Sequence, residues 1–316
     1  MESKELSKKI KEEETINKYN YFKNVDIRAL IQSNKLHFKK SLVLERFNPP
    51  IKVKDVKVEN KVYHLIDDGE LFGGTKMRFM IPYIAEIKEK ELIYAGPDSG
   101  MAQIVLGVAG ILFNKKVTIF VNTYKGLKYK PYLVHFGMKY LNIKYDFSND
   151  VKGRTLKSTQ ECAEAYYNSN PKDKYMIPFG LLTDEFVKLF TEILSKSLKD
   201  IHPPERLWLV VGSGMILKTL QNIWPTTEYQ CVQVGKKVYN DQLRGTDTIE
   251  PIDKLYIAPE YFGAKAIHQP PYDSIPWYDA KLWQFVLTNG KNGDYMWNVA
   301  SLPTEYKLKE FLAEFM

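Results

Sequence analysis

The chain has only two cysteines, Cys162 and Cys231, in 316 residues. Two thiols build neither a disulfide framework nor a zinc ligand set, so they read as spare buried thiols of a reducing, cytoplasmic compartment. Histidine is equally scarce. The five (His37, His64, His135, His202, His268) show no paired spacing, and no metal is expected. No apolar run reaches the roughly 18–20 residues of a membrane span, so no membrane partner is expected. Residues 1–23, with "SKKIKEEE", lack the apolar centre of a signal peptide and read as a polar, partly helical arm. No internal repeat and no low-complexity linker interrupts the chain beyond that arm. These absences exclude a disulfide scaffold, a structural zinc module and a helical membrane protein.

What is present suits a globule with a sizeable core: 44% hydrophobic and 26% charged residues. The net charge is +7. Attraction to nucleic acid or to phosphorylated ligands is one reading, and a lysine-rich bias is the other. The lysines are scattered and few Arg/aromatic clusters interrupt them, which favours the bias.

The pattern along the chain alternates strands and helices. "VKDVKVENKVYHLIDDG" reads as two strands with a turn at Glu59–Asn60. "MRFMIPYIAEIKEK" carries apolar residues at helical spacing (Met77, Met80, Ile81, Ile84, Ile87), with Pro82 expected in the first turn. "ELIYAG", a break at "PDSG", the helical "MAQIVLGVAGILFN" and the strand "KVTIFV" make a βαβ unit. "RLWLVVGSG", "MILKTLQNIW" and "EYQCVQVG" make a second. Such alternation argues for an α/β fold with largely parallel sheets.

Two stretches could carry chemistry. In "LWLVVGSGMILKTL", a strand ends in Gly212-Ser213-Gly214 and opens a helix. Free N–H groups at that helix start could hold a phosphate, or the turn could serve packing alone. In "FGGTKMRF", Lys76 follows two glycines at a helix mouth. Burial and the positive helix end would lower its pKa and favour the free amine that condenses with a carbonyl. A solvated first-turn lysine is the plainer reading, although a helix N-terminus is a poor place for a cation.

Taken in order, "FGGTKMRF", "PDSGMAQIVLGVAGILFNKKVTIFV", "MIPFGLLTDEF" and "VVGSGMILKTL" resemble the fold-type II pyridoxal-phosphate enzymes, the tryptophan synthase β-like superfamily. The G-G-x-K-x-R form of the lysine motif is most similar to the 1-aminocyclopropane-1-carboxylate deaminase and D-cysteine desulfhydrase branch. The likeness runs from Ile66 to Trp283. It implies two intimately packed three-layer α/β/α domains with mostly parallel sheets. Residues 24–92 with 176–316 would form the large cofactor-binding domain, and 93–175 the small one. It implies a lyase or deaminase acting on an amino acid or related amine, with pyridoxal 5'-phosphate held as a Schiff base on Lys76. Gly212, Ser213, Gly214 and Met215 would cradle the cofactor phosphate, and a homodimer is expected.

"IPWYDAKLW" is similar to the branch's P-x-Y-E-G-K segment, which makes Tyr278 the active-site tyrosine and Asp279 the partner of the pyridine nitrogen. "APEYFG" resembles its "GPxYG" segment and places Tyr261 at the ring and substrate. Ordinary packing is the alternative for both tyrosines. The turn that meets the substrate carboxylate in the family is Asp98-Ser99-Gly100-Met101 here. Ser99 can serve as an acid/base hydroxyl, and Gly100 and Met101 complete the substrate-side turn. Met101 departs from the family's amide and can do neither of its jobs. The wall "HQPPYDSIP" is also shorter than in the branch. These departures leave two alternatives open: a PLP enzyme acting on an amino group of a modified nucleotide or nucleic acid, or a catalytically lapsed cofactor-binding chain. The acids Asp67, Asp68 and Glu70 before the glycines could hold a metal or help orient Lys76, and a solvated acidic turn is the plainer reading.

Overall fold

The structure is a computed structural model that describes residues 24–33, 36–124, 130–148, 155–181, 183–234 and 254–315. The expected polar arm, 1–23, lies outside the described residues. The chain divides into two compact units, one of 48–79 and 178–302, the other of 1–47, 80–177 and 303–316. The sequence expectation put 24–47, 80–92 and 303–316 with the cofactor domain, whereas they group here with 93–175. Helical spacing reports that a helix buries one face. It does not report which sheet receives that face.

In chain order the elements are α1 (Ile27–Gln32), α2 (Lys40–Arg46), β1 (Val53–Val58), β2 (Lys61–Asp67), α3 (Lys76–Glu86), β3 (Glu91–Gly96), α4 (Ala102–Phe113), β4 (Lys116–Tyr124), α5 (Tyr132–Tyr140), β5 (Lys144–Ser148) and α6 (Leu156–Ser169). They continue with β6 (Lys174–Met176), α7 (Asp184–Ser197), β7 (Arg206–Val211), α8 (Met215–Ile223), β8 (Glu228–Gln233), β9 (Lys254–Ile257), α9 (Trp283–Asn289), β10 (Tyr295–Asn298) and α10 (Glu305–Ala313). Among the described residues no helix is long and apolar enough to cross a membrane.

The unit of 48–79 and 178–302 is built on a sheet of order β1-β2-β10-β7-β8-β9. Only the β1–β2 pair is antiparallel, and its turn passes through Glu59 at φ 53°. The remaining ladders are parallel. β7 is buried at every residue, as a central parallel strand with both faces covered must be. Its core joins Tyr63, Leu65, Trp208, Val232, Trp283 and Met296. β10 runs between β2 and β7 although it comes last in sequence, so it decides what the ends of those strands meet. α7 shows how its sequence sets a helix. The Thr183 hydroxyl accepts from the Phe186 N–H, two acids fill the first turn, and Phe186, Val187, Phe190 and Leu194 form the buried stripe.

The other unit holds an all-parallel sheet of order β5-β4-β3-β6. The small residues expected on α4 are there for close approach. A Cβ on Gly107 would fall 2.8 Å from Leu141 Cβ and 2.7 Å from Ile143 Cδ1. The helix ends at Asn114 in the left-handed region, which asparagine tolerates. Pro82 does not fall in the first turn of α3. It is the seventh residue of a helix that starts at Lys76, so it leaves the Arg78 carbonyl without its helical donor.

Candidate active site

Lys76 is the first residue of α3, placed by the turn before it. Gly73 and Gly74 both have positive φ, 84° and 71°. Gly74 also passes so close to the segment after β10 that a Cβ there would stand 2.2 Å from the Val299 carbonyl oxygen. Only glycine meets both conditions. The Thr75 N–H then donates to that same carbonyl at 2.8 Å. The two glycines of the motif therefore serve contact with Val299 and seat the lysine's own peptide against it.

On its other side, the Val299 N–H donates to Asp279 Oδ1 at 3.3 Å. Asp279 is 4% exposed and begins a 3-10 turn, Asp279–Leu282, that leads into α9. Its Oδ2 is buried with no hydrogen-bond partner. Burial pushes the carboxyl pKa up to about 8, against the opposing pull of the Val299 and Ala300 N–H groups and of the Lys76 charge. Lys76 is half-buried, and loss of water around its amine lowers its pKa, with the Asp279 carboxylate working the other way. Both shifts have the same leading cause, burial, which disfavours the charged form of each group.

Tyr278, next in the chain, reaches toward the glycine turn after β7. A Cβ on Gly212 would lie 2.5 Å from its hydroxyl oxygen. Burial, and then the Asp279 charge, raise the Tyr278 pKa, so the phenol remains a proton donor. The turn itself has an exposed Ser213, Gly214 at φ 86°, and no side chain capping the start of α8, which Met215 begins. "MIPFGLLTDEF" folds back onto it: a Cβ on Gly180, itself at φ 71°, would meet Ser213 Cβ at 3.4 Å. The structure thus brings together Lys76, Asp279, Tyr278 and the Gly212–Met215 turn through direct neighbours.

It does not bring Tyr261 to them. That ring is 80% exposed, and only its backbone carbonyl is engaged, accepting from the fully buried Lys281 at 3.0 Å. Ser99, Gly100 and Met101 lie in the other unit, at the start of α4. There Gln103 turns inward. Its Nε2 donates to the Asp98 and Gly100 carbonyls at 2.8 and 2.9 Å, and its Oε1 accepts from Tyr145 at 2.7 Å. That amide is spent on holding the turn, and the Met101 side chain has no amide to offer.

Some residues of the site escaped sequence reasoning. The solvated reading of the acidic turn fails at Asp68, which is 1% exposed and pairs with Arg78 at 2.6 Å. Thr75 donates to Asp68 Oδ2 at 2.8 Å and accepts from Trp297 Nε1 at 3.0 Å. Tyr272, from the shortened wall, has its pKa raised by burial and by the nearby Asp279 and Asp67 charges. The arginine two residues after the lysine was the available signal for Asp68, since a buried guanidinium needs a carboxylate.

No protein-family model and no curated protein matches the sequence. Solved structures do match. An ACC deaminase homologue is 14% identical, with 88% of this chain and 100% of that one aligned at a TM-score of 0.61. A hydrogen sulfide-producing enzyme from Fusobacterium nucleatum is 13% identical over 84% of this chain and 97% of that one, at a TM-score of 0.55. Serine racemase from maize is 10% identical over 90% and 98%, at a TM-score of 0.54. At such low identity the shared feature is architecture, and the chain has the α/β fold of the tryptophan synthase β-like, fold-type II enzymes.

Proposed function

We propose that this chain is a pyridoxal 5'-phosphate-dependent enzyme of lyase or deaminase type, acting on an amino acid or related amine. The observation that carries the reading is the buried carboxyl of Asp279, whose Oδ2 has no hydrogen-bond partner and whose charge acts on the Lys76 amine. A protonated pyridine nitrogen is a donor of the kind that oxygen lacks, so the residues present fit the cofactor. The names of the structural neighbours, deaminases and a racemase among them, support the same class.

When bound, the cofactor supplies an electron sink for a carbanion at the substrate carbon. The chain's own groups do the rest. Lys76, with its pKa lowered, offers the free amine that attaches the cofactor and can afterwards take or return a proton. Asp279 holds the ring nitrogen. The Gly212, Ser213, Gly214 and Met215 turn offers N–H groups and a hydroxyl to the phosphate. Tyr278, whose pKa is raised, suits proton donation and is a poor base. Ser99, with Gly100 and Met101, is assigned to the substrate side by resemblance alone, whereas the exposed Tyr261 ring is given no role. We assign the chain to the cytoplasm and to a homodimer, which sedimentation at twice the chain mass would bear out.

Met101 favours a second reading, a chain that keeps the cofactor and no longer turns over amino acids. Full cofactor loading with no spectral change across a panel of L- and D-amino acids identifies that case. A change with any of them removes it. The nucleic-acid alternative rests on the altered Asp98–Met101 turn, the short "HQPPYDSIP" wall and the +7 charge, and indifference to DNA and RNA at low salt would remove it. The primary test is the absorbance of the purified protein with added cofactor. A band near the visible edge, lost in Lys76→Ala, is expected. A wild type that stays colourless contradicts the proposal.

A further inference from the structure

The peptide of Val299 is bonded on both sides. Its carbonyl receives the Thr75 N–H at 2.8 Å, and its N–H goes to Asp279 Oδ1 at 3.3 Å. One short stretch of backbone therefore links the residue before Lys76 to the carboxyl whose charge acts on the Lys76 amine. The Thr75 hydroxyl is gripped in turn. It donates to Asp68 Oδ2 at 2.8 Å and accepts from Trp297 Nε1 at 3.0 Å, while its oxygen stands 3.2 Å from the Val299 carbonyl. Asp68 is fixed by the Arg78 fork, with Nε 3.1 Å from each carboxylate oxygen and Nη2 2.6 Å from Oδ1. Arg78 is anchored further by the Asn48 side chain at 2.5 Å and the Pro49 carbonyl at 2.7 Å.

Asp68, Thr75 and Arg78 are all at most 2% exposed. A buried charge pair contributes little net stability, because desolvation offsets much of the attraction, whereas it fixes geometry strongly. This pair clamps both sides of Lys76, at the residue before it and at the second residue after it.

We propose that Thr75 is a positioning residue which, clamped by Asp68 and Arg78, sets Lys76 in register with Asp279 through the Val299 backbone. The assignment rests on the reading of Lys76 as the cofactor lysine. It concerns the chain's own geometry, however, and can be tested without cofactor.

The measurement is the pH midpoint for acylation of Lys76 by acetic anhydride. It is followed by peptide mass spectrometry on the full chain with no cofactor added. The Asp279 charge acts on the Lys76 amine and on the Tyr272 and Tyr278 hydroxyls. Because the Asp279 charge raises the Lys76 pKa, Asp279→Asn lowers the midpoint, and the size of the drop measures the coupling. We expect a drop of about one pH unit in the wild-type and Thr75→Ser backgrounds. In Thr75→Val, which keeps the shape and loses the hydroxyl, the drop falls to about a third of that or less. An equal drop in all three backgrounds overturns the proposal. Should valine prevent folding, Trp297→Phe removes the donor to Thr75 Oγ1 and carries the same comparison, with the same outcomes. A colourless wild type would end the cofactor reading and leave this coupling measurable.

Discussion

A carboxyl group in Asp279's place pulls against its own ionisation. Burial outweighs the Val299 and Ala300 N–H groups and the lysine, and holds its pKa at about 8. The folded chain therefore binds a proton there that the unfolded chain releases near pH 4. The resulting stabilisation is full below about pH 4 and is lost as pH rises through about 8, on the order of a few kcal/mol. Asp279→Asn should flatten the fall in melting temperature across that window, read by thermal unfolding at a series of pH values. An unchanged fall would mean that other groups carry it. Lys76 and the glycine turn stand out by residue type in the sequence, and Asp279 only through the resemblance of its segment. Asp68 and Thr75 were not legible. An acid in a run of acids gives no sign of its own burial; the arginine ten positions on is the one hint, and it is found folded back onto Asp68.

Among elements, strands with dense apolar runs declared themselves, β7 most clearly. β10 did not. Four residues, "YMWN", are too few for a period to show, and the strand draws its importance from lying between β2 and β7, which is a long-range pairing. The whole site turns on it, since Val299 comes directly after. The 3-10 turn at Asp279–Leu282 is likewise too short to show a period of its own. The small residues of α4 support a firmer prediction. Gly107→Val would press its branches into Leu141 and Ile143, costing about 1–3 kcal/mol as overpacking. Denaturant unfolding should show that loss, with cofactor colour retained at low denaturant, because the residue lies in the other unit from Lys76. Loss of colour without loss of stability would contradict this placement.

Across the molecule, alternating strands and helices were enough for an α/β fold with mostly parallel sheets, and both sheets agree. The division into units was less legible. It falls inside α3, just after Phe79, and sends the segment around α1 and α2, and the one around α10, to the unit of β3–β6. Nothing in a helix's own stripe names the sheet it will cover. Every functional assignment depends on the Lys76 amine being the group that takes the cofactor. The most direct test is to add pyridoxal 5'-phosphate, reduce with borohydride and map the labelled peptide. One stable pyridoxyl label is expected, on Lys76, in the peptide containing "FGGTK". A label spread over surface lysines with Lys76 unmodified would overturn the assignment.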